Sequence, residues 1–592
     1  MLGHNGLSRK NEAIVIDRLR VEIDRLGAWV VDDVSLTIEP GEIVGLVGES
    51  GSGKTTAGLA VLAYARRGLV IAGGRVEVEG QSVLELNPDA VRDLRRHSVA
   101  YVPQDPGTAL NPALTVRTQL AEKLHPNGKV PDEMLFPLLE EVRLPATSDF
   151  IDRYPHQMSG GQQQRVGIAM AFAARPALIV MDEPTTGLDV TTQSHVLETI
   201  RRLCKDHRVA AIYVTHDLAV VSNIADRVAV MYSGRIVEIG PTKDVLFRSR
   251  HPYSQALVRA VPHMHGEAAM VGIPGQAPDP AHRPGGCAFS PRCPMADERC
   301  RSEVPPVAEV AGGHRALCFK SDQVRSTVTP RAEPMVIDRG GEPLLTVRGL
   351  SARYGTKTIL HHVDFSVVRG ECVALVGESG SGKTTLSRSL AGLHREWSGT
   401  VDLAGVPLPP AARHRDLELL RRVQYIFQNP YASLNPRRTI GESCTMARRQ
   451  LTGDSLAAAR ARTLEVLDQV ALPARFFDRF PREMSGGQRQ RAAIARALVV
   501  DPDLMICDEV TSALDVSVQA VIVDLLTQLQ KDAGLTMLFV THNLPLVCNM
   551  AQRVIVLRTG QIVEVGTVQE ILQNPKSEET RRLMADAPDF VH

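Results

Sequence analysis

The string GESGSGKTT occurs twice, at Gly48–Thr56 and again at Gly377–Thr385, and this recurrence limits what the chain can fold into more than any other feature. Other short motifs repeat in the same order: MSGGQ from Met158 and Met484, the acid pairs Asp182-Glu183 and Asp508-Glu509, and the pairs Thr215-His216 and Thr541-His542. Self-similarity on that scale means two homologous halves, each obliged to bury its own core. A chain of 592 residues is long enough for this, and 44% hydrophobic against 23% charged residues is the balance of a globular protein rather than a disordered one. Lys plus Arg and Asp plus Glu each number 67, so no net basic field exists to hold nucleic acid without sequence preference.

Each GESGSGKTT follows a short apolar run, Ile43 to Val47 or Val373 to Val376, and precedes a helical pattern. That is the context in which a glycine-rich loop cradles phosphates. Gly48, Ser50, Gly51 and Gly53, with Gly377, Ser379, Gly380 and Gly382, let the backbone wrap an anion closely, and the following helix points its N-terminus at the charge. Lys54 and Lys383 then reach the β and γ phosphates, while Thr55 and Thr384, followed by Thr56 and Thr385, stand ready for magnesium and phosphate oxygens. A second run in each half, ALIVMDEP and DLMICDEV, reads as a buried parallel strand delivering two acids at its carboxyl end. Asp182 and Asp508 are expected to hold magnesium, and Glu183 and Glu509 to polarise an attacking water as general bases.

Ser159, Gly160 and Gly161, like Ser485, Gly486 and Gly487, open an apolar-periodic helix with a geometry suited to phosphate. Gln104 and Gln428 follow short strands, where an amide meets metal or water, and His216 and His542 end apolar runs within reach of a γ-phosphate. With these motifs in this order, the halves closely resemble the nucleotide-binding domains of ABC transporters over nearly the whole chain. The resemblance implies an α/β fold: two ABC-type nucleotide-binding domains in tandem, each a phosphate-loop NTPase core plus helical subdomain, with a Cys-rich extension after the first. It also implies head-to-tail pairing of the two domains. One ATP site would then combine Lys54, Thr55, Gln104, Asp182, Glu183 and His216 with Ser485, Gly486, Gly487 and the D-loop Asp515. The other would combine Lys383, Thr384, Gln428, Asp508, Glu509 and His542 with Ser159, Gly160, Gly161 and Asp189. By the same resemblance Tyr354 stacks on adenine in the second half. Its first-half counterpart is missing, because Ile23 to Arg25 holds no aromatic residue and Trp29 is out of register.

The halves differ most in the segment that comes after the first. Residues 1–262 and 343–592 read as the two domains, 263–320 as a Cys-rich extension and 321–342 as a flexible linker rich in charge, Pro and Gly. The extension, with HPYSQALVRAVP and GCAFSPRCPMADERC, resembles the C-terminal extension of oligopeptide and dipeptide importer ATPases. Its cysteines, Cys287, Cys293, Cys300 and Cys318, lack the C-x2-C spacing common in zinc knuckles. Four thiolates suit a 4Fe-4S cluster, and the resemblance implies one; zinc and unliganded core cysteines are the alternatives.

No run of about 18 apolar residues is present, so nothing here spans a bilayer as a helix, and the first residues carry mixed charges rather than a secretory signal. The leading expectation is a cytoplasmic, peripheral ATPase using ATP and Mg2+ to energise a peptide importer. Its partners would be two transmembrane permease subunits and an extracytoplasmic solute-binding protein, with no nucleic acid. The alternative is a soluble tandem ABC ATPase acting on ribosomes, although such proteins resemble one another in a long charged helical linker where this chain has Cys, Pro and Gly.

Overall fold

The computed structural model describes residues 13–125, 130–188, 190–264, 269–325, 341–512 and 514–587. Apolar runs such as IVGLV at Ile43–Val47 and LIVMD at Leu178–Asp182 form strands buried along their whole length. Continuous burial of that kind requires cover on both faces, which is the environment of a parallel sheet. In the first half, Arg227–Tyr232, Ile43–Val47, Ala210–Thr215, Leu178–Asp182 and Val99–Val102 lie side by side in that order, all parallel. In the second half the matching strands are Arg553–Arg558, Cys372–Val376, Thr536–Val540, Leu504–Asp508 and Val423–Ile426, again parallel throughout.

Alternate side chains of these strands feed two cores. Ile179, Met181, Ala211 and Tyr213 pack with Leu120, Phe150, Ile168 and Ile200 on the helical side. Val44, Leu46, Val180 and Ile212 pack instead with Ile16, Leu19, Val31 and Leu36 of an antiparallel sheet that covers the opposite face. The second half repeats both layers. Beside each core lies a helical subdomain, which in the second half includes Ile440–Thr452 and Leu456–Gln469. Thr439 caps the first of these helices reciprocally with Glu442, and Gly453 ends it in the left-handed region at φ 78°.

The sheets differ at one edge. Val307–Val310 and His314–Leu317, both from the expected extension, add two antiparallel strands beyond Arg235–Pro241, giving eight strands where the second half has six. The extension is therefore built into the first half's sheet. Glu238, which is 1% exposed, secures it: its carboxylate meets His314 Nε2 at 2.7 Å and accepts the backbone N–H groups of Arg250 at 2.6 Å and His251 at 3.0 Å. Met264, at the start of the extension, is buried in the second half's helical-side core. Of the expected linker, Ser321–Gln323 forms a short 3-10 turn and residues 326–340 lie outside the described residues.

Replacing Glu238 with Ala leaves two buried N–H groups and an imidazole without their acceptor, so unfolding free energy should fall by about 2 kcal/mol or more. Thermal or denaturant unfolding of the full chain checks this, and an unchanged midpoint would contradict the role assigned to the carboxylate.

Candidate active site

Both phosphate loops sit at the carboxyl ends of the central strands. Their first glycines approach the neighbouring strand so closely that a Cβ at Gly48 would lie 2.1 Å from the Met231 carbonyl oxygen, and one at Gly377 would lie 2.2 Å from that of Leu557. Only glycine fits there, at φ 149° and 153°. The loops then turn into the helices Lys54–Val61 and Lys383–Leu390, whose N-caps Gly53 and Gly382 are left-handed. Lys54 Nζ donates to the carbonyls of Gly48 and Glu49 at 2.7 and 2.9 Å, and Lys383 Nζ to those of Gly377 and Glu378 at 2.7 and 2.8 Å. Burial lowers the pKa of Lys54, while Glu183, Asp515, Asp182 and Glu49 work in the opposite direction. The remaining residues predicted for these loops, Ser50, Gly51, Thr56, Ser379, Gly380 and Thr385, follow the same turn into the helix.

The acid pairs occupy the strand ends as the sequence requires. Thr55 Oγ1 donates to Asp182 Oδ1 at 2.9 Å, joining the two motifs expected to share a metal. Tyr101 holds the other oxygen of Asp182 at 3.0 Å, and Tyr425 holds Asp508 in the same way. These tyrosines were not among the expected site residues, yet each stands three positions before Gln104 or Gln428, so the repeat itself carried the signal. Burial raises the pKa of both aspartates. Asp508 Oδ1 is buried with no hydrogen-bond partner. An orphaned carboxylate oxygen is a hard donor of the kind magnesium prefers.

Glu183 and Glu509 both sit in the left-handed region, at φ 48° and 49°, a strained conformation for a residue with a side chain. Each carboxylate belongs to a matching trio. Gln104 Nε2 lies 2.9 Å from Glu183 and His216 Nδ1 lies 2.7 Å from it; the second-half distances, Gln428 and His542 to Glu509, are 2.8 and 3.3 Å. The glutamines, expected to meet metal or water, thus donate their amides to the glutamates. Burial alone would raise Glu183, but His216, with Lys54 and Thr186, outweighs it and holds the carboxyl below its usual value. Burial likewise pulls His216 down, and Glu183 more than offsets this, so the imidazole stands above its ordinary 6.5.

Ser159 and Ser485 cap the helices Gly160–Phe172 and Gly486–Leu498, each reciprocally with the glutamine three residues on. Gly487 is packed so tightly against the helix Val516–Ala533 that a Cβ would come within 2.4 Å of Val518 Cγ1, and one at Gly161 would come within 2.8 Å of Thr192. That helix begins at Asp515, whose carboxylate accepts the backbone N–H of Ser50 at 3.4 Å, so the second half's D-loop touches the first half's phosphate loop. Asp189, its counterpart, lies outside the described residues. Between the halves, Thr185, His216, Thr511 and His542 line a common cavity of about 100 Å³.

Tyr354 is half exposed, with its ring 4.4 Å from that of His394. In the first half Trp29 begins the opposite strand of the hairpin, paired with Glu22, and carries the Arg20 guanidinium 5.7 Å from its ring. Cys287, Cys293, Cys300 and Cys318 are unbonded thiols, each partly buried. Burial raises Cys287 and Cys293 and pushes Cys318 up to about 11, with Cys300 adding to each shift. Among the described residues no three His, Cys, Asp or Glu side chains are grouped so that they could hold a metal ion.

Residues 31–186 and 360–512 both match the family model described as ABC transporter, which together is more than half of the chain. The chain belongs to the ABC transporter family. It is an ATP-hydrolysing member with two nucleotide-binding domains fused in one polypeptide, and residues 237–300 match the model of the oligopeptide/dipeptide transporter C-terminal region. The glutathione import ATP-binding protein GsiA of Escherichia coli strain K12 is 38% identical to this family member over 94% of the chain and 86% of its own length. The protein of that name from Shigella dysenteriae serotype 1 (strain Sd197) is 37% identical over the same shares. Among solved structures, archaeal ribosome recycling factor aABCE1, in complex with the ribosomal stalk protein aP1, superposes with a TM-score of 0.59 at 20% identity, covering 96% of this chain and 92% of its own; this likeness is one of fold.

Replacing Glu183 with Gln removes the charge that raises His216 while leaving burial, which lowers it, in place. The imidazole should therefore titrate at a lower pH in the variant, as followed by NMR of the histidine ring, and an unchanged titration would show that the pair is not electrostatically coupled.

Proposed function

We propose that this protein is the fused ATPase subunit of a peptide ABC importer, acting at the cytoplasmic face of the membrane beneath two separate transmembrane permease subunits fed by an extracytoplasmic solute-binding protein. The observation that carries this reading is the extension: residues 237–300 match the oligopeptide/dipeptide transporter C-terminal region, and the two strands that follow the match, Val307–Val310 and His314–Leu317, add to the first domain's sheet. The relatives named for glutathione import extend the substrate class to small peptides of that kind. The fold likeness to the archaeal recycling factor supports the tandem arrangement without favouring a ribosomal role.

In each site the phosphate loop and its lysine, Lys54 or Lys383, bind and orient the ATP phosphates. Thr55 with Asp182, and Thr384 with Asp508, are the residues that would hold Mg2+, which when bound neutralises phosphate charge. Glu183, hydrogen-bonded to His216, and Glu509, hydrogen-bonded to Gln428 and His542, would take the proton of the attacking water. Closure of the two domains on ATP completes each site with the opposite signature serine and D-loop aspartate, and hydrolysis reopens it. The contact between Ser50 and Asp515 supports this head-to-tail pairing for the first site.

What supports a shared role for the four extension thiols is their resemblance-implied pattern and the rise in the pKa of Cys318 caused in part by the other three. Cys287, Cys293, Cys300 and Cys318 would hold a 4Fe-4S cluster with a structural role, and the N–H of Lys320, 3.4 Å from Cys318 Sγ, would donate to its thiolate.

Affinity purification of the full chain from native membranes should recover two polytopic membrane proteins. Recovery of ribosomal proteins in their place would overturn the importer reading in favour of the translation-factor alternative. Anaerobically purified protein should be brown and carry about four irons per chain; colourless protein with stoichiometric zinc would refute the cluster assignment.

A further inference from the structure

The sequence between the first two clustered cysteines contains a buried cation that no nucleotide motif accounts for. Arg292, immediately before Cys293, has a side chain only 4% exposed and grips both oxygens of Glu49, at 2.6 and 2.9 Å. Its other hydrogen bonds run to the Pro274 carbonyl at 2.8 Å, the Ile273 carbonyl at 3.3 Å and the Tyr232 hydroxyl at 3.3 Å, with the guanidinium 5.8 and 5.9 Å from the rings of Tyr232 and Phe289. Glu49 is the second residue of the first phosphate loop. It also receives the hydroxyl of Ser517 at 2.7 Å, and that hydroxyl lies 2.8 Å from Asp515, whose carboxylate meets the Ser50 N–H. One carboxylate thus joins three parts of the chain: the Cys-rich extension, the first phosphate loop and the second half's D-loop helix.

The second phosphate loop has a different arrangement. Glu378, the counterpart of Glu49, has a contact from Arg582 at 3.4 Å, and that arginine is 49% exposed. Thr191, which corresponds to Ser517, donates to Asp586, and Asp586 lies 3.9 Å from Arg582. The connection therefore passes through two further side chains of the helix Glu578–Asp586, and its arginine is half exposed and leaves the buried Glu378 Oε1 without a hydrogen bond. A buried bidentate charge pair fixes geometry far more firmly than a half-exposed monodentate one.

We infer that Arg292 is a positioning residue for the first ATP site: through Glu49 it holds the phosphate loop in register with the opposing D-loop, so that the Cys-rich extension sets nucleotide affinity at this site and leaves the second largely alone. The inference rests on the reading of both phosphate loops as ATP sites. Arg292 touches neither nucleotide nor reacting atoms, and it works by keeping Glu49 and Ser517 where the Ser50 amide can meet both phosphate and Asp515.

The test is photolabelling of the full chain with 8-azido-ATP and Mg2+, with peptide mapping to separate the site around Lys54 from that around Lys383. Arg292→Gln should weaken first-site labelling about tenfold and second-site labelling by less than about twofold, the loss expected when a buried carboxylate is left unpaired next to the loop. Arg292→Lys should recover part of the first-site loss, because it restores the charge without the fork. Ser517→Ala, which leaves the extension's docking intact, should weaken the same site, and Arg582→Gln should alter neither strongly. Unchanged first-site labelling in Arg292→Gln, an equal loss at both sites, or no effect of Ser517→Ala would overturn the inference. If Arg292→Gln does not fold, Ser517→Ala and Arg292→Lys decide alone. Failure of the unaltered chain to label at either site would instead refute the ATPase reading.

Discussion

The seat of each phosphate loop on the neighbouring strand's next-to-last carbonyl is the constraint from which the remaining architecture derives. With a separation that excludes even one methyl group at Gly48 or Gly377, the loop cannot ride up or slide without opening the sheet. Its lysine, its helix and the aspartate on the adjacent strand are consequently set by the same few backbone atoms. The parallel sheet has to be rigid to serve as that seat, which explains why both of its faces are covered, by the antiparallel sheet on one side and by helices on the other.

Duplication gives two seats, but their surroundings have diverged. The first half carries a wider sheet, a cysteine block, and a buried cation against its phosphate loop; the second ends in a short amphipathic helix whose charged residues fill a similar place less completely. The glutamate trios are nearly superimposable in chemistry, differing mainly in the histidine distance. The asymmetry thus lies around the glutamate trios rather than in them.

Much of this was legible in the sequence because the informative residues sit in short contiguous motifs repeated in order. The strands at Ile43–Val47, Leu178–Asp182 and Leu504–Asp508 are where apolar runs bounded by glycine or acids place them. What the sequence hid were contacts between distant segments: Tyr101 on Asp182, Glu238 on His314, Arg292 on Glu49. A lone arginine in a Pro- and Cys-rich stretch has no periodicity to mark it as buried, and its partner glutamate was masked by membership of the glycine-rich motif. The extension's strands were equally hidden, since VAEV and HRAL are too short and too polar to stand out until an existing edge strand offers them partners.

The left-handed backbone at Glu183 and Glu509 also bears on how such a chain can change. Each costs on the order of 1 kcal/mol relative to relaxed geometry, a cost that glycine at either position would largely remove. Selection for thermal endurance alone would therefore drift toward glycine at those two strand ends and, in the same step, discard the carboxylates. Backbone ease and retention of the carboxylate are thus set against each other at both strand ends.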